Sequence, residues 1–115
     1  MPHLILEHDA ALAETHDLPA MVDALFEAAC AHPLFAKAPH DVKVRTVAFE
    51  NGRSGLAAPG HAHLTIRLLT GRTSDQKQGV AQDMLAVLTR HLPDIGSLSV
   101  EPVEMDRDTY VKRAL

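Results

Sequence analysis

At 115 residues, 46% apolar but only 3% aromatic and without Trp, the chain has the size of one domain, 1–115, whose core must rely on Leu, Val, Ile and Ala. A net charge of −4, with no basic stripe interleaved with aromatics, argues against nucleic acid as a partner. The single cysteine, Cys30, excludes an internal disulfide and a cysteine-based zinc site, and no apolar run approaches the roughly 18 residues of a membrane span.

The N-terminus lacks the basic region and apolar stretch of a signal peptide, so a cytoplasmic protein is expected. Residues 3–9, HLILEHD, read as a strand with almost no lead-in, headed by Pro2. Proline is tolerated there because the first strand residue need not donate to the ladder. If Met1 is removed, as is normal before a small residue, Pro2 instead carries a free secondary amine: a base tethered to a buried strand. A polar stretch, 9–16, follows. Asp17-Leu18-Pro19 then reads as an N-cap with proline in the first turn. Leu18, Met21, Val22, Leu25, Phe26, Ala29 and Cys30 recur at helical spacing, predicting a helix over 18–32 with Cys30 on its packed stripe. His32-Pro33 ends it. A second strand is predicted over 42–49, and Asn51-Gly52-Arg53-Ser54-Gly55, with Pro59-Gly60 beyond, marks a loop.

The pattern then restarts. Residues 63–69 read as a strand, and Thr73 and Gln76 are spaced as a capping box. Val80, Met84, Leu85, Val87, Leu88 and Leu92 form a second amphipathic stripe, closed by Pro93 and Gly96, and 97–105 is a fourth strand. The chain is thus βαβ twice, roughly 60 residues per unit, predicting an α+β fold: one four-stranded sheet with two helices on one face. The other face stays bare in a monomer. Leu4, Leu6, Leu64 and Ile66 are expected to need covering, which favours an oligomer.

The eight histidines suggest a rival site. His61 and His63 fall on one face of a strand, with His3 expected on a paired strand nearby, and neutral imidazoles can bind a metal. No acidic or cysteine ligand has recognisable spacing to complete such a set, so no metal and no cofactor is predicted. His8, His16, His32, His40 and His91 fall at element ends or in loops and are expected to be solvated. Phosphate-binding glycine motifs and a Gly-x-Ser-x-Gly elbow are absent.

The Pro2-His3 strand, Asp17-Leu18-Pro19, and His61-Ala62-His63-Leu64 leading into Gly71-Arg72-Thr73 together resemble the tautomerase superfamily, which includes 4-oxalocrotonate tautomerase and macrophage migration inhibitory factor (MIF). Their order and spacing are most similar to the 5-carboxymethyl-2-hydroxymuconate delta-isomerase branch, and the resemblance covers essentially the whole chain. It implies a cytoplasmic homotrimer in aromatic compound catabolism, acting as an isomerase on a small, carboxylated 2-hydroxydienoate. Pro2, as general base, would take the 2-hydroxyl proton, and a proton would return at carbon 5. An alkylamine is too basic for this in water, so burial or nearby cations must disfavour its charged form. Two units of lowering correspond to about 2.7 kcal/mol.

By the same resemblance Arg72 would bind a substrate carboxylate, a bidentate match that arginine suits. The branch also has an Arg-x-Arg pair near the start of its second strand, where this chain has Asp41-Val42-Lys43 and then Arg45. Lys43 and Arg45 share a strand face and are the candidates to compensate. A second functional reading remains beside the isomerase: a non-catalytic trimeric binding or scaffold protein on the same fold.

Overall fold

In the computed structural model, which describes residues 1–115, the alternating run at the N-terminus becomes strand β1 (His3–Asp9), led by a fully buried Pro2. Its even-numbered residues Leu4, Leu6 and His8 are buried and its odd ones lie nearer solvent, as the two-residue period of a strand requires. The polar stretch after it holds a short helix the sequence pattern does not announce, α1 (Leu12–Thr15), which buries Leu12. Helix α2 (Leu18–Ala31) starts as the motif predicts: the Asp17 carboxylate accepts from the Ala20 amide at 3.0 Å, with Pro19 in the first turn. A 3₁₀ turn (Pro39–Asp41) delivers the chain to β2 (Lys43–Phe49).

Strand β3 (His61–Leu69) begins two residues earlier than the apolar pattern suggests. Gly71 follows at φ 121°, a left-handed conformation that a side chain would strain, and this turn aims the chain into α3 (Ser74–His91). The Thr73–Gln76 capping box forms with both hydrogen bonds in place. Strand β4 (Ser97–Met105) closes the fold, and Pro102 is tolerated within it because β4 is an edge strand.

The strand order is β2-β1-β3-β4. Strands β1 and β2 are parallel, as are β3 and β4, and the two units meet through an antiparallel β1–β3 pair. Helices α2 and α3 pack on each other over one sheet face and enclose a single core. Leu4, Leu6, Leu64 and Ile66 belong to that core and are 0% exposed. Their expected exposure on the bare face is therefore wrong by one step of the strand alternation. The register puts His3, Ile5, Lys43, Arg45, Val47, His63, Thr65 and Arg67 on the uncovered face instead. That face is a mixture of charge and aliphatic surface, with Val47 49% exposed.

Candidate active site at the Pro2 end of the sheet

The site is assembled by strand register. His3 lies opposite Lys43 on β2 and Arg67 on β3, and all three side chains share the uncovered face. Arg45 follows Lys43 on that face, confirming the period-two reading of those two residues. Strand β3 runs two residues past Arg67, so the Gly71 turn and Arg72 emerge at the end where β1 begins. Arg72 donates from Nη1 to the Leu69 carbonyl at 3.1 Å, and Arg107 holds the adjoining Thr70 carbonyl with Nε and Nη2 at 3.3 and 2.9 Å. Burial first, and the Arg107 charge second, lower the Arg72 guanidinium from its ordinary value.

With Met1 attached, the Pro2 nitrogen is an amide and the terminal amine belongs to Met1. That amine donates to the Asp41 carbonyl at 3.1 Å, and Pro2 is tied to β2 by the Lys43 amide donating to its carbonyl at 3.0 Å. Burial lowers the pKa of the Met1 amine, Lys43 lowers it further, Asp41 opposes, and Lys112 adds a smaller lowering. The chain terminus thus sits where an ammonium ion is disfavoured.

Asp41, which occupies the position of an expected arginine, does not face the site as an unpaired anion. Its carboxylate is paired with the Lys112 ammonium, which holds it below the usual carboxylate range. Lys112 lies on a segment the sequence pattern leaves featureless. After β4, a turn at Asp106 reverses the chain, and residues 107–112 cross this end of the sheet from β4 toward β2. On the way Tyr110 meets His3, Oη to Nε2 at 3.1 Å, with the rings edge to face. Arg45 donates to the other ring nitrogen, Nδ1, at 3.3 Å. His3, Arg67, Arg107, Tyr110 and Lys112 were not singled out for this site by sequence reasoning. Strand alternation could have found Arg67, but no local pattern marks the tail.

The proposed trio of histidines is not one group. His3 stands at the Pro2 end, whereas His63 bonds Ser99 and Glu101, and His61 stacks on Phe49 toward the other end. No cluster of three or more His, Cys, Asp or Glu residues is arranged to hold a metal ion. His8 is a correction as well: it is 3% exposed, with Nδ1 against the Asp9 carbonyl at 2.8 Å. His16 and His32 are also largely covered and lie against Asp94 and Asp83. The one sizeable cleft, about 310 Å³, lies at the opposite end of the sheet among Asp9, Glu14, His16, Pro59 and Asp94.

A family model described as 5-carboxymethyl-2-hydroxymuconate isomerase matches residues 2–114. No curated protein is significantly similar to the chain. Among solved structures, a 5-carboxymethyl-2-hydroxymuconate isomerase from Deinococcus radiodurans R1 is 24% identical, with TM-score 0.68, covering 97% of this chain and 88% of that one. A 5-carboxymethyl-2-hydroxymuconate delta-isomerase superposes with TM-score 0.77 at 13% identity, covering 99% and 88%. A fused 4-OT wild type symmetric trimer gives TM-score 0.73 at 15% identity, covering 98% and 94%. At these identities the likeness to solved structures establishes the tautomerase-type fold.

Proposed function

The chain belongs to the 5-carboxymethyl-2-hydroxymuconate isomerase family, a family of tautomerase-type isomerases, and from that premise we propose that it interconverts enol and keto forms of a carboxylated 2-hydroxydienoate, with Pro2 as the base. The observation that carries this reading is the placement of the chain terminus. A buried proline heads β1 at the sheet end where Lys43, Arg67 and Arg72 gather. Removal of Met1 leaves a secondary amine on Pro2, at the head of β1, close to Lys43 and Lys112, which both lower the Met1 amine. The neutral amine takes the 2-hydroxyl proton, the electron pair moves through the diene, and a proton returns at the distal carbon.

Arg72 and Lys43 bind the substrate carboxylates, Arg72 as a planar donor and Lys43 as a point charge. Arg45 belongs to the site through its bond to His3. The protein works in the cytoplasm as a homotrimer, and the uncovered sheet face, with Ile5 and Val47 among its charges, is the surface that copies share. The fused 4-OT structure described as a symmetric trimer supports that assembly on this fold.

The test compares protein shown by intact mass to start at Pro2 with protein retaining Met1. Processed protein isomerises a 2-hydroxydienoate, whereas the Met1-bearing form is nearly inert because its Pro2 nitrogen has no basic lone pair. Inactivity of the processed form on every 2-hydroxydienoate leaves the scaffold reading. Sedimentation equilibrium of the same sample gives a trimer mass, and a stable monomer at micromolar concentration contradicts the assembly.

A further inference from the structure

The contact chain Arg45–His3–Tyr110 has a direction. Arginine carries only donors, so the Nδ1 of His3 that meets Arg45 must be an acceptor. In a neutral imidazole the proton then resides on Nε2, and that nitrogen donates to the Tyr110 oxygen. A hydroxyl that accepts from histidine keeps its own proton free. We infer that Tyr110 is a hydrogen-bond donor to an oxygen of the bound acid at the Pro2 end, with Arg45 and His3 as positioning residues that orient its hydroxyl.

Three features support this assignment, which rests on the isomerase reading for the identity of the acid. Burial, then the terminal amine, Arg45, Lys43 and Arg67, all lower the His3 pKa, so the ring stays neutral and the proton order holds. The Asp41–Lys112 pair fixes the tail two residues beyond Tyr110. The Asp106 turn, with the Thr109 and Tyr110 amides both donating to the Asp106 carbonyl, fixes it on the other side. The hydroxyl therefore stands on a braced segment, adding a neutral donor beside the cations Lys43, Arg67 and Arg72.

The experiment is calorimetric binding of 2-oxoadipate, a saturated 2-oxo dicarboxylate with no double bond to shift, to processed wild type, Tyr110→Phe, Arg45→Met and the double variant. Tyr110→Phe keeps the ring and weakens binding about 10–100-fold, the range of one hydrogen bond to a charged oxygen. Arg45→Met weakens it in the wild-type background and adds little in the Tyr110→Phe background, because both act through one hydroxyl. Nitrogen-detected NMR of labelled His3 reads the Nε2–H tautomer in wild type. Unchanged binding in Tyr110→Phe, additive losses, or the Nδ1–H tautomer overturns the inference. Wild type that binds the probe, loses it in Tyr110→Phe and yet isomerises no 2-hydroxydienoate keeps Tyr110 and rejects Pro2 as base. Wild type that does not bind the probe overturns the Tyr110 assignment and leaves Pro2 to the kinetic test on 2-hydroxydienoates.

Discussion

The two ends of the sheet differ in opposite ways in shape and in charge. The Asp9 end has the larger cleft, about 310 Å³, but its walls carry Asp9, Glu14 and Asp94 with a single His16. The Pro2 end has no comparable hollow in one chain, but it gathers Lys43, Arg45, Arg67, Arg72, Arg107 and Lys112, and two of its carboxylates, Asp41 and Glu104, are paired with Lys112 and Lys77. A substrate bearing carboxylates is repelled by the first and drawn to the second. The proposed site rests on charge and on the placement of an amine, not on volume.

The largest expected effect breaks the comparison at the base itself. Pro2→Ala keeps an N-terminal amine but makes it primary and mobile, and kcat/KM falls about 10²–10⁴-fold, toward the lower figure, with the assembly unchanged. Steady-state kinetics on mass-verified protein checks this, and a rate within twofold of wild type removes Pro2 from the chemistry. Next comes the anion contact. Arg72→Ala raises KM by the equivalent of roughly 1.5–3 kcal/mol, the worth of a hydrogen bond to a charged group. Unchanged KM and kcat would take Arg72 out of the site.

Lys43 is exposed, so its contribution is smaller. Lys43→Gln weakens a dicarboxylate by about 1 kcal/mol more than a monocarboxylate, and equal losses for both show that it reads no second carboxylate.

The last prediction separates the two ends by pH. His3 has a folded pKa below its ordinary 6.5, so the unfolded chain takes up a proton first as pH falls. Stability therefore declines as pH drops through about that value. Asp94 has a folded pKa below its ordinary 3.8, with the His16 bond as the largest cause. Its contribution is present above that value and is lost only as pH falls through the lower, folded one. Denaturant titrations across pH should show His3→Gln flattening the upper window and Asp94→Asn the lower, with kcat/KM untouched by Asp94→Asn. Loss of activity in Asp94→Asn would join the acidic cleft to the site after all.

Much of the fold was legible because its signals are local. Asp17 and Thr73 cap the helices they were expected to cap, and the βαβ repeat predicts both parallel pairs. The face assignment failed because alternation tells which residues share a face, not which face the helices cover. Both possibilities obey the same period, and only packing of α2 and α3 selects Leu4, Leu6, Leu64 and Ile66 for the core.

For the site, the sequence alone determined one candidate and one shared face. Pro2 stands out by its place at a strand head, and period two puts Lys43 and Arg45 on one face of a strand, whereas the roles proposed for Arg72, Lys43 and Arg45 come from the family resemblance. The tertiary structure decided how these groups meet. Register sets His3 beside Lys43 and Arg67, and the turn at Asp106 returns Tyr110 to His3 and Lys112 to Asp41 across separations of 107 and 71 residues. Contacts at that range have no period in the chain. They arise only when the sheet has fixed where each strand ends, and the charge of Asp41, unexplained in sequence, finds its counter-ion only then.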